Sequence, residues 1–111
     1  MYEYRASVIR VVDGDTVDLR LDLGLDVSLN LRVRLAGIDA PERGKPGGSE
    51  ATAWLSEKLK PRVDVLVKTE KDRREKYGRY LATIYLLGDV THINEQMIEA
   101  VHARAYDGGK R

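Results

Sequence analysis

Cysteine is absent from this chain, which excludes a disulfide scaffold, a thiolate zinc site and a cysteine nucleophile together. No apolar run approaches the roughly 18 residues that a membrane span requires. A large excess of one charge is also missing. Lys and Arg number 19 against 18 Asp and Glu, a net charge of +1, which argues against coating nucleic acid by bulk electrostatics. What is present is 111 residues, 42% of them hydrophobic. That suits one core and one domain over residues 1–111, and not a chain disordered throughout. There is no internal repeat and no low-complexity tract. Residues 1–5 show no apolar leader core, so the expectation is a cytoplasmic protein, or a secreted one whose leader has been removed.

Charge is uneven along the chain. Residues 13–26 carry five aspartates against Arg20, a local balance of −4, and residues 58–79 carry a balance of +5. An acidic pocket beside a basic segment suits a metal-assisted phosphate site. Two solvated faces of opposite sign account for the same charges.

Hydrophobic periodicity organises the rest. Residues 4–12 read as a strand, and Asp13-Gly14-Asp15 as a tight turn. Residues 16–23 alternate with apolar side chains at odd positions. After a turn at 24–26, Val27, Leu29, Leu31, Val33 and Leu35 alternate with polar residues, completing a meander with one apolar face. Residues 36–48 hold four glycines and two prolines and read as a loop. Ser49 is the expected N-cap of a helix over 50–59, stopped by Pro61. Strands follow at 63–67 and 81–87. A second helix is expected from about 93 to 105, with Ile93, Met97, Val101 and Ala105 stacked on one side. The order β-β-β-α-β-β-α is that of a five-stranded Greek-key barrel of the oligonucleotide-binding type, an α+β fold with two helices.

Three polar clusters carry chemistry. Asp13-Gly14-Asp15-Thr16 holds more carboxylate than a hairpin turn needs. Asp39-Ala40-Pro41-Glu42 places two carboxylates three apart in a proline-stiffened loop just after Arg34. Asp15, Asp39 and the Ala40 carbonyl are oxygen donors of the kind a hard cation takes. Lys76-Tyr77-Gly78-Arg79 joins cations and an aromatic before a strand, a combination suited to phosphate and base contact. Turns, a solvated loop and a charged hairpin explain each cluster taken singly. His92 and His102 have no neighbouring ligand set and read as surface or helix residues.

The clusters occur in one order: Val12-Asp13-Gly14-Asp15-Thr16-Val17, Arg34-Leu35-Ala36-Gly37-Ile38-Asp39-Ala40-Pro41-Glu42, Lys76-Tyr77-Gly78-Arg79-Tyr80-Leu81-Ala82 and Ile93-Asn94-Glu95. With this order and spacing the chain resembles the staphylococcal (micrococcal) nuclease, or thermonuclease, family. The resemblance implies a Ca²⁺-dependent phosphodiesterase acting on DNA and RNA and leaving 3′-phosphate ends. It implies that Asp15, Asp39 and the Ala40 carbonyl hold the cation, that Glu42 is the proposed general base, and that Arg34 and Arg79 hold the scissile phosphate. Lys76 and Tyr77 match residues that touch the neighbouring phosphate. Asp13 and Thr16 match supports of the metal ligands. Tyr106 lies about one position from a family aromatic at the base-binding edge.

The chain departs from the family pattern in a shorter loop after Glu42 and in stopping where a third helix usually follows. The second departure would leave an apolar barrel end bare, and a homo-oligomer that covers it, a trimmed chain or a reduced fold would each account for that. The alternative function is a non-catalytic nucleic-acid-binding module on the same barrel. Retention of Asp15, Arg34, Asp39, Glu42 and Arg79 favours the enzyme.

Overall fold

A computed structural model describes residues 2–71 and 79–106. Its elements are β1 (Tyr2–Asp13), β2 (Thr16–Asp22), β3 (Ser28–Leu35), β4 (Ile38–Asp39), α1 (Gly48–Lys58), β5 (Asp64–Lys71), β6 (Tyr80–Leu86), α2 (Ile93–Glu99) and β7 (Arg104–Ala105). Five strands close a barrel in the order β1-β2-β3-β6-β5, and β4 and β7 form a separate two-stranded ribbon. All barrel neighbours are antiparallel except β3 and β6, which run parallel. This is the expected five-stranded oligonucleotide-binding barrel with two helices.

Closure depends on β1. Tyr2 to Ser7 pair with β5 and Arg5 to Asp13 with β2, with register shifts in the β2 pairing between Val8 and Arg10 and between Val11 and Asp13. Such bulges bend a strand and raise its twist, which lets one strand serve both sides of a closing sheet. The barrel interior is filled by the alternating residues Val17, Leu19, Leu21, Val33, Leu35, Val65, Val67, Ala82 and Ile84, all buried. Ala51, Leu55 and Leu59 from α1, and Ile93 and Met97 from α2, complete the same core.

Three expectations are corrected. The apolar alternation of β2 and β3 outruns the barrel, because Leu23, Leu25, Val27 and Leu29 are exposed. The reason is pairing. β6 meets β3 only from Val33 to Leu35, so the outer half of the β2–β3 hairpin has no second layer to face. Helix α1 starts at Gly48 behind an N-cap Gly47 in the left-handed region, with no side-chain cap, instead of behind Ser49. Helix α2 ends at Glu99 instead of continuing to Ala105. Val101 N–H donates to the Ile98 carbonyl and His102 N–H to the Met97 carbonyl, both at 2.9 Å. This pair of bonds is a Schellman stop, in which the residue after the C-cap turns left-handed. Here that residue is Val101, at φ 62° and 87% exposed, and Ala105 goes instead to β7.

Candidate active site

The site forms where the β1–β2 turn, the end of β3 and the ribbon meet. Asp13 pairs with Thr16 at the end of the hairpin, leaving Gly14 and Asp15 as the turn. The Asp15 carbonyl accepts from Leu35 N–H at 2.8 Å, which ties the turn to the end of β3. Gly14 has a packing duty: a Cβ there would lie 3.0 Å from the Cβ atoms of both Ala40 and Ala51. Only hydrogen at this position lets the turn, the Asp39–Ala40 segment and α1 approach together.

Within this junction Asp15 is 6% exposed and Arg34 8% exposed. Arg34 Nη2 lies 3.1 Å from Asp15 Oδ2 and 3.2 Å from Asp39 Oδ1. The Thr16 hydroxyl donates to Asp15 Oδ1 at 3.2 Å, and Ala40 N–H donates to Asp15 Oδ2 at 3.3 Å. One buried guanidinium therefore stands between two carboxylates drawn from different loops. Buried ions are costly to desolvate, so this arrangement contributes more to organisation than to stability. Among the described residues, Arg34 Nε is buried without a hydrogen-bond partner. It is a spare donor on the residue matched to phosphate binding.

The other expected residues sort as follows. Thr16 supports Asp15 directly. Asp13 ends β1, and among the described residues no side-chain hydrogen bond or ion pair joins it to the site. Glu42 is exposed in the loop before α1, and its carbonyl accepts from Lys45 N–H at 3.0 Å. Arg79 is half-buried and leads into β6, where Tyr80 pairs with Val33 and Leu81 with Arg34. That parallel pairing brings it to the strand that carries Arg34. Tyr106 N–H donates to the Gly37 carbonyl at 2.8 Å, which places this residue beside the Asp39 segment. Lys76 and Tyr77 lie outside the described residues. His92 caps α2 by accepting Glu95 N–H on Nδ1 at 3.1 Å, and His102 packs on Trp54.

The donor set is consistent with a hard divalent cation. Asp15 and Asp39 offer carboxylate oxygens within reach of one shared nitrogen, and Ala40 adds a backbone carbonyl in the same segment. Among the described residues no three His, Cys, Asp or Glu side chains gather into a metal cluster, so water and a ligand's own oxygens would complete the shell.

Four contributors were not assigned a role from the sequence. Gly14 is the first. At Gly48 a Cβ would overlap the Glu42 carbonyl oxygen and stand 2.5 Å from the Glu42 carbonyl carbon, so the lack of a side chain there sets where Glu42 sits. Buried Asn94 donates to the Ala36 carbonyl at 2.8 Å and the Ala82 carbonyl at 2.9 Å, and accepts Ile84 N–H at 3.2 Å. It thereby bolts α2 to β6 and to the start of the Asp39 loop. Arg104 faces Asp39 across the ribbon. The residue types alone give no sign of such duties, because Gly14, Asn94 and Arg104 act on neighbours distant in the chain and Gly48 on a carbonyl across the turn of its loop.

The sequence is similar to those of known proteins. The sequence pattern of the staphylococcal nuclease homologue family matches residues 32–110. A micrococcal nuclease from Shigella flexneri is 38% identical over 94% of this chain and 59% of its own length. An uncharacterized endonuclease from Escherichia coli O157:H7 is 31% identical over 95% of this chain and 63% of its own. A thermonuclease from Staphylococcus hyicus is 31% identical over 93% and 60% respectively. The chain thus spans about three fifths of the length of these relatives. With the family pattern covering most of its residues, and the barrel and acid–arginine junction in place, this chain belongs to the staphylococcal nuclease homologue family.

Proposed function

We propose that this protein is a Ca²⁺-dependent nuclease that hydrolyses phosphodiester bonds of DNA and RNA and leaves 3′-phosphate ends. The observation that carries the reading is the single Arg34 nitrogen set between Asp15 and Asp39, in a chain of this family. The named nucleases among its relatives support the same activity.

Attack on a phosphodiester places extra negative charge on the phosphoryl oxygens. Arg34 and Arg79 answer that charge with planar guanidinium forks whose donors match phosphate oxygens. Nε of Arg34 is one such donor. Glu42 orients the attacking water and takes its proton. Its exposure in the loop before α1 leaves the carboxylate open to solvent water. Asp15, Asp39 and the Ala40 carbonyl would hold the cation, which when bound supplies further neutralisation of the phosphate. Thr16 and Ala40 N–H fix the Asp15 carboxylate through their hydrogen bonds. Lys76, Tyr77 and Tyr106 are assigned to the flanking nucleotides on the strength of the family match. Cleavage of the bond to the 5′-oxygen gives the 3′-phosphate product.

Digestion of plasmid and single-stranded DNA and of RNA with Ca²⁺, with Mg²⁺ or with chelator tests this reading. Cleavage with Ca²⁺, none with chelator, and ends that become extendable only after phosphatase treatment are expected. Absence of cleavage under every condition, by protein that melts cooperatively, overturns the enzyme and leaves a nucleic-acid-binding module.

A further inference from the structure

The ribbon of β4 and β7 brings a third arginine to the site. Arg104 stands directly opposite Asp39 in the register of the ribbon, and Ile38 opposite Ala105. Its Nη2 lies 3.7 Å from Asp39 Oδ2, while Arg34 donates to the other oxygen, Oδ1, at 3.2 Å. Two guanidiniums thus stand on opposite oxygens of one carboxylate, and they differ in every other respect. Arg34 is buried and fixed. Arg104 is 81% exposed at its side chain and sits beyond hydrogen-bond range of its partner.

A counter-charge for Asp39 is already supplied by Arg34 at the shorter distance. An exposed pair at the longer one contributes little and breaks easily. The root of Arg104 is held firmly, because Tyr106 N–H is bonded to the Gly37 carbonyl just beyond it. The result is an anchored backbone with a guanidinium head in solvent, at the rim of a site read as binding a polyanion. Phosphate oxygens offer such a head a bidentate acceptor that a carboxylate already shared with Arg34 does not.

We propose that Arg104 contacts a backbone phosphate of the bound polynucleotide, adjacent to the phosphate that Arg34 faces. The proposal rests on the nuclease reading above and adds a substrate contact to it.

The salt dependence of binding tests it. Affinity of a fluorescent single-stranded oligodeoxythymidine is measured by anisotropy in chelator across a series of KCl concentrations, for the full chain and for Arg104→Gln. Loss of one phosphate contact reduces the slope of log K against log salt by about 0.7. That reduction is expected for Arg104→Gln, with Arg104→Lys retaining the parental slope. Arg20→Gln, on the far hairpin where Arg20 bonds Asn30, is the unaffected control. Circular dichroism melts confirm that each variant is folded. A parental slope in Arg104→Gln overturns the proposal. A simultaneous rise in Ca²⁺ affinity by calorimetry would then make Arg104 only a counter-charge of Asp39. If Arg34→Gln also keeps the parental slope, the nuclease site itself fails; if Arg34→Gln loses slope and Arg104→Gln does not, only the Arg104 contact fails.

Discussion

Two charge triads sit two steps apart on the same β2–β3 ladder, and they are built as opposites. At the Thr16–Arg34 rung, Arg34 stands between Asp15 and Asp39. At the Asp18–Arg32 rung, Asp18 stands between Arg32, at 2.8 Å, and Arg10, at 3.0 Å. The first triad has an excess carboxylate, is mostly buried, and has a guanidinium nitrogen without a partner among the described residues. The second has an excess guanidinium and lies toward solvent. Arg32 grips both Asp18 oxygens, and its hydrogen bonds hold that carboxyl below the usual range. The lesson is that ion pairing alone does not mark a site. The marks are burial and an unsatisfied donor, since these are costs that a bound phosphate would relieve.

The sharpest way to break this contrast is to remove one arginine from each triad. Arg34→Ala is expected to lower kcat by about 10²–10³-fold, the usual effect of deleting one preorganised donor to a developing oxyanion. Arg32→Ala, two residues away, is expected to change kcat by less than about two-fold. Similar losses in both would mean that the ladder as a whole, and not the buried triad, supports turnover.

Asn94 tests whether the buried triad depends on its frame. Asn94→Ala leaves Ile84 N–H and the Ala36 and Ala82 carbonyls without this partner. The expected loss is about 3 kcal/mol of unfolding free energy, read from urea melts. No single side chain of the exposed triad is expected to match it. Gly48→Ala probes the site edge more finely. Its methyl group displaces the Glu42 backbone, so kcat falls by about ten-fold, equivalent to 1.4 kcal/mol in the barrier. In a Glu42→Ala background the same change should cost nothing further. An equal loss in both backgrounds would show that Gly48 acts on helix α1 and not on Glu42.

A smaller gain is expected from Val101→Gly. The Schellman stop places a β-branched residue in the left-handed region, where L side chains cost about 1–2 kcal/mol. Glycine recovers part of that, about 0.5–1 kcal/mol after its greater unfolded-state entropy, visible as a higher thermal midpoint with unchanged kcat. The smallest effect belongs to the exposed triad. Because the Asp18 pKa is lowered in the folded state, its contribution is present above the ordinary carboxylate range. It is lost as pH falls through the lowered value. Asp18→Asn is thus expected to cost about 0.5 kcal/mol near pH 7 and nothing in strong acid, when chemical melts are compared across pH. A cost that persists in acid would assign the role of Asp18 to packing.

Much of this molecule was legible from alternation and turn chemistry. The barrel strands, both helices and the residues gathered at Asp15, Arg34 and Asp39 follow from local patterns and from four motifs in one order. The misreadings share one cause. Leu23, Val27 and Leu29 alternate as core residues do, yet β6 begins its pairing with β3 only at Val33 and leaves them uncovered. Val101 and Ala105 continue a helical spacing, yet two carbonyls at Met97 and Ile98 find capping donors first. Ser49 has cap chemistry, yet the close approach of Gly48 to Glu42 starts the helix earlier.

The sequence by itself determined the strand and helix order, the placement of acids in tight or proline-stiffened loops, and the family. These depend on residues near one another in the chain, where side-chain period and backbone preference act directly. Only the tertiary structure decided which charges are buried, that Gly14 must admit Ala40 and Ala51, and that Arg104 faces Asp39. Each of those depends on segments that meet only after the barrel closes, and the free energy of a charge is set by what surrounds it there.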